Sequence, residues 1–108
     1  MIYELSREQK IVFISKLTNE LLVLRAKAGF SQERISNYIG ISRQTYYAIE
    51  TGQKQMSWST FLALLFVFDC IPATKALLEK LEIYPEQFIV LLRTGYRENR
   101  NTALQELK

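Results

Sequence analysis

Residues 31 to 52, SQERISNYIGISRQTYYAIETG, constrain this chain more than any other stretch, because they spell two short helices joined at one glycine. Ser31 is placed to cap the first by accepting a hydrogen bond from a first-turn amide, and Ile35, Tyr38 and Ile39 recur at the spacing of one helical face. Gly40 ends that helix, since glycine takes the left-handed conformation without a Cβ clash. After the Gly40-Ile41 turn, Ser42 caps a second helix, Tyr46 and Ile49 continue the apolar stripe, and Gly52 stops it. Helices of about two turns are unstable alone, so this helix-turn-helix must pack on other elements.

Those elements are written on either side. Upstream, Ile14, Leu17, Leu21, Leu24 and Ala28 step by three and four along one face before Gly29. Ser6 followed by Gln9 fits a capping box, which predicts a helix from about residue 7 to 28 with Thr18-Asn19 as a candidate break. Downstream, Ser57 caps the run Trp58 to Phe68, whose Phe61, Leu62, Leu64, Leu65 and Phe68 leave little polar face and predict near-complete burial. After Pro72, the residues Ala73, Ala76, Leu77 and Leu81 suggest a fifth helix, and Pro85 opens a sixth with Phe88, Ile89, Leu91 and Leu92 before Gly95. The tail from residue 96 is polar and expected to fray, with Leu104 and Leu107 able to extend it by a helical turn. Helical spacing assigns Tyr38, Tyr46, Trp58, Phe61, Phe66 and Phe68 to the core rather than to base-stacking platforms, leaving Tyr47 on the outer face.

The stretch LLVLRAKAGFSQERISNYIGISRQTYYAIETGQK, followed by MSWSTFLALL, resembles the Cro-type, phage-repressor-like helix-turn-helix proteins, also called the Xre family, over about half of the chain. The most specific elements are Leu24-Arg25, Gly29 before Ser31-Gln32, the Gly40 turn and the Ile49-Glu50-x-Gly52 ending. The chain departs from the family's common pattern at Arg34, where an acid is usual, at Tyr46, usually a smaller aliphatic, and at Met56, usually proline. The resemblance implies an all-α fold, a compact lambda-repressor-like bundle of five to six helices with its helix-turn-helix at residues 31–50. The expected organisation is one domain over 1–108: a core at about 17–70, C-terminal helices at 72–95 as the candidate dimerisation segment, and a tail at 96–108.

If the second helix of the motif enters a major groove by its N-terminal end, Arg43 and Gln44 carry the side-chain types that make two-pronged contacts, Arg to guanine and Gln to adenine. Tyr47 and Ala48 lie one turn further on the same side and complete the expected base-reading set. Gln32, at the start of the preceding helix, is the expected phosphate grip, a role the resemblance supports. Ser42 joins it, and Thr51, Gly52 and Lys54 form a loop whose free amides and single cation suit the opposite strand. The resemblance places Arg25 opposite Glu50 as a structural ion pair. Phe88, Leu91 and Leu92 are the dimerisation candidates, although the same stripe fits folding back onto the first helix.

Composition narrows the rest. The net charge of +3 permits a polyanion partner without demanding one. A chain of 108 residues with 48% hydrophobic content fits one globular domain and has no length for a large sensing or catalytic domain besides. The longest apolar run, Phe61 to Phe68, falls far short of the ~18 residues of a membrane span, and the N-terminus lacks a signal core, so a cytoplasmic protein is expected. With no histidine and one cysteine, Cys70, read as a buried inert thiol, the sequence offers no metal site, no catalytic residues and no cofactor requirement. The motif and the resemblance together imply, as the expected activity, transcriptional regulation by binding double-stranded DNA as a homodimer on an inverted repeat. The competing reading is an antitoxin-like or anti-repressor-like protein partner, whose decisive contacts would lie in the C-terminal helices and leave Arg43 and Gln44 dispensable.

Overall fold

Four serines start four of the helices. The computed structural model describes residues 5–107, in which α1 (Arg7–Ala28), α2 (Gln32–Ile39), α3 (Arg43–Glu50), α4 (Trp58–Asp69), α5 (Pro72–Lys80), α6 (Glu86–Thr94) and α7 (Tyr96–Glu106) follow in order. Ser6, Ser31, Ser42 and Ser57 accept from the amides of Gln9, Arg34, Thr45 and Thr60, each satisfying a donor that has no partner within its helix. At Ser6 the cap is reciprocal, because the Gln9 side chain accepts from the Ser6 amide at 2.7 Å.

Leu17, Leu21 and Leu24 of α1, Ile35 of α2, Tyr46 of α3, Phe61, Leu64 and Phe68 of α4, and Leu78 of α5 are fully buried in one core, which Ile83 closes just after α5. Burial of each such side chain contributes about 1.5–3 kcal/mol, so the short motif helices are held by tertiary packing. Trp58 stacks on Phe61 with centroids 4.7 Å apart, carrying the core toward α6, where Phe88 meets Trp58 edge-on at 6.1 Å.

Several expectations from the sequence are corrected. There are seven helices among the described residues, since the tail expected to fray forms α7. The Thr18-Asn19 break is absent, and the Thr18 hydroxyl donates to the Ile14 carbonyl at 2.8 Å without interrupting α1. In α5 the buried residues are Thr74 and Leu78, while Ala73 and Ala76 are exposed and Leu77 and Leu81 half-buried. Pro72 at the first helical position sets the phase, and the Thr74 hydroxyl is drawn inward to the carbonyls of Phe68 and Ile71 at 2.6 and 3.1 Å. Tyr38 and Phe66, expected in the core, are exposed, and so is Cys70. With 100° per residue, Phe61, Leu64, Leu65 and Phe68 use the inner face of α4, which leaves Phe66 and Cys70 on the opposite one.

The molecule measures 46 × 30 × 26 Å with a radius of gyration of 15.8 Å, against about 13 Å for a compact chain of this size. Its far end is light in core: α6 buries no residue and, besides Phe88, meets α1 through a Gln9–Gln87 contact of 3.4 Å.

Candidate nucleic-acid interface

The turn between α2 and α3 is built from backbone. Gly40, in the left-handed region at φ 77°, lets its own amide and that of Ile41 return to the Ser36 carbonyl at 2.9 and 3.1 Å, and the chain then enters α3 at the Ser42 cap. The Ser42 hydroxyl accepts from the Thr45 amide at 3.0 Å and donates to the Thr45 hydroxyl at 2.9 Å. Its expected phosphate role therefore competes with capping.

Beyond that cap α3 divides its residues cleanly. Tyr46 and Ile49 point into the core, whereas Arg43, Gln44 and Tyr47 are exposed and Ala48 is half-buried. Gln32, Arg43, Gln44 and Tyr47 together line one surface hollow of about 310 Å³. Three of the four expected base readers thus meet the expected phosphate grip at one place, with the unsatisfied first-turn end of α3 beside them. Ala48 is not part of that lining.

Gln32 is placed by a charge network. Arg25 donates from Nε to Glu50 Oε2 at 3.0 Å, from Nη2 to Oε1 at 2.9 Å, and from Nη1 to the Phe30 carbonyl at 3.1 Å, joining α1, the α1–α2 loop and α3. The Gln32 side-chain amide lies 3.5 Å from the same Glu50 Oε1. Burial pushes the Glu50 carboxyl up, but the hydrogen bonds of Arg25, the nearby Tyr46 hydroxyl, the Arg25 charge and the Gln32 amide together more than offset it, so it is held below the usual carboxylate range. The Tyr46 hydroxyl is buried in the field of this pair with no hydrogen bond of normal geometry, and burial pushes its pKa upward.

The loop after α3 differs from expectation. Its amides are not free: Thr51 donates to Tyr47, Gly52 to Ile49, and both Gln53 and Lys54 to Ala48, at 2.8–3.1 Å. These donors close the carbonyl end of α3, and the Thr51 hydroxyl does the same at 2.7 Å from the Tyr47 carbonyl. What remains for a ligand is the exposed Lys54 ammonium and the open backbone around Gly52.

The three dimerisation candidates are also separated. Phe88 is half-buried against Trp58, Leu91 is half-buried, and only Leu92 is exposed. Sequence reasoning missed a second exposed group on α2, where Arg34 Nη1 donates to the Tyr38 hydroxyl at 3.4 Å and Tyr38 meets Phe30 edge-on at 5.2 Å. The signal was present as the unusual Arg34 four residues before Tyr38, a spacing that brings side chains together on a helix. Among the described residues no group of three or more His, Cys, Asp or Glu side chains could hold a metal, and no helix is long and apolar enough to cross a membrane.

A protein-family model described as a helix-turn-helix domain matches residues 17–78, from the middle of α1 to the last turn of α5, and leaves α6 and α7 outside. The chain is also similar to an uncharacterized HTH-type transcriptional regulator, YgzD, of Bacillus subtilis (strain 168), with 44% identity over 36 residues, or 33% of this chain and 54% of that protein. It thus spans about half the length of that relative. No solved structure matches.

Proposed function

The chain belongs to the helix-turn-helix domain family, and we propose that it is a sequence-specific regulator of transcription that binds double-stranded DNA as a dimer on an inverted-repeat operator. The observation that carries this reading is the convergence of Gln32, Arg43, Gln44 and Tyr47 on one hollow at the start of α3. A groove-inserted α3 brings the forked guanidinium of Arg43 and the amide of Gln44 to base edges. Tyr47 packs against sugar or a thymine methyl, and Ala48 offers apolar contact at the margin. Gln32, Ser42 and Lys54 fix register on the phosphates without reading sequence, with Thr51 and Gly52 shaping the loop that carries Lys54. The Arg25–Glu50 pair keeps α3 at a fixed angle to α1.

In this reading the protein acts in the cytoplasm as a single domain, needing no cofactor and no catalysis. Enrichment of bound sites from random duplex DNA tests it. The expected product is an inverted repeat, and Arg43→Ala and Gln44→Ala should each relax preference at a different position by about 1–3 kcal/mol. Absence of any enriched motif, or an identical motif for both variants and the parent protein, overturns it.

A further inference from the structure

The helix α1 is apolar on two sides. Its inner side is core, but Ile11, Val12, Leu22 and Val23 are 37%, 54%, 60% and 44% exposed. At 100° per residue these four share one outward face with Ser15, Asn19 and Ala26, while Lys16 and Glu20 fall to one side of it and Arg25 to the other. Nearly four turns of the solvent face of a 22-residue helix therefore carry no charge. Isolated exposed apolar residues need no explanation, but an uncharged stripe of this length does.

The geometry points to a second copy of this chain as the occupant, packed antiparallel along α1. The stripe reads the same in both directions: Ile11 and Val23 stand six residues from Leu17, Val12 and Leu22 stand five, and the small polar pair Ser15 and Asn19 stand two. A two-fold axis passing the outer face of α1 level with Leu17 therefore brings Ile11 level with Val23 of the second copy and Val12 level with Leu22, with the small residues Ser15 and Asn19 where the helices approach most closely. Such self-complementarity is what an isologous contact requires and what a foreign partner does not.

A second relationship supports the same occupant. One edge of the stripe is bordered by the loop after α3, for Ser15, Thr18 and Asn19 line a common hollow with Gly52, Lys54 and Gln55. The two-fold axis of an antiparallel helix pair lies in the contact plane, so whatever borders α1 on one side in one copy borders it on the same side in the other. Pairing through α1 consequently presents both Lys54 loops to one duplex. Four turns of one helix cover less than the ~800 Å² per partner of a standard interface, so the dimer forms in proportion to concentration and is strengthened by DNA that holds both copies.

The inference rests on the dimeric reading above, and sedimentation of the full chain without DNA separates its failure from failure of the DNA-reading assignment. The parent protein should shift from monomer to dimer as concentration rises. Val12→Glu with Leu22→Glu, both at exposed positions, should weaken association at least tenfold by setting like charges opposite each other. Val12→Glu with Leu22→Lys should restore it, because the antiparallel register then sets opposite charges together, and Leu92→Glu should leave it unchanged. A parent protein that stays monomeric, a Glu/Glu variant that dimerises normally, a Glu/Lys variant that is no better than Glu/Glu, or a Leu92→Glu variant that is monomeric each overturns the α1 interface, the last in favour of α6.

Discussion

Arg25 clasps both carboxylate oxygens of Glu50, Nε on Oε2 and Nη2 on Oε1, while its third nitrogen holds the Phe30 carbonyl. The planar fork fits a carboxylate in a way an ammonium cannot. Glu50 closes α3, where the helix dipole disfavours an acid, so the guanidinium also offsets that repulsion. With side chains 18% and 7% exposed, the pair is largely withdrawn from water. Glu50→Ala should therefore lose about 2–4 kcal/mol in denaturant unfolding, chiefly because Arg25 is left without its partner. Loss of operator preference with stability unchanged would show the pair to be functional rather than structural.

The same pair sets an acid limit. Because the folded Glu50 carboxyl is held below the usual range, the unfolded chain takes up its proton first. Its contribution is thus present above the ordinary carboxylate value of ~4.3 and is lost as pH falls through the lowered folded value. Unfolding measured from pH 6 to 3 should show a steeper decline for the parent protein than for Glu50→Gln, which has no proton to gain there.

Tyr46→Phe should not weaken the fold. The hydroxyl is buried with no hydrogen bond of normal geometry, and removing an unsatisfied polar group from a core is neutral or favourable by up to ~1 kcal/mol. A loss above ~1 kcal/mol in the same assay would mean that the hydroxyl is bonded to Glu50 in solution.

Gly40→Ala isolates backbone strain at the turn. A Cβ at this position meets nothing within 4 Å, yet φ is +77°, so the whole effect is the left-handed penalty of about 1–2 kcal/mol. Thermal unfolding should show a lower midpoint, with the DNA motif unchanged.

Lys54→Ala should weaken binding to all DNA sequences alike and lower the magnitude of the salt slope by about one, since one fewer phosphate is neutralised. An unchanged slope would leave Lys54 as a solvated loop charge.

The motif was legible because each of its joints has a chemical marker. Ser31, Gly40 and Ser42 state where helices start and stop, and Tyr46 and Ile49 state which side is inward. Phase was lost where the markers run out. In α4 almost every residue is apolar, so nothing in the sequence told buried Phe68 from exposed Phe66. In α5 a threonine took a core position by hydrogen-bonding to the preceding carbonyls, which a hydrophobicity pattern does not register. The residues of the candidate interface could be named from their order along α3, but their meeting with Gln32 depends on the Arg25–Glu50 clasp 25 positions apart in sequence. The amides of the loop after α3 looked available only until the helix end claimed them.

The long axis of 46 Å and the absence of any buried residue in α6 give the molecule two rates of opening. Amides in α1 to α5 are held by the shared core and exchange with solvent hydrogen only when most of that core comes apart, whereas those of α6 and α7 can be released without disturbing it. A protease acting under native conditions should therefore trim the chain from its C-terminal end and stall near Ile83, the last fully buried apolar side chain among the described residues, leaving a fragment that still carries α3.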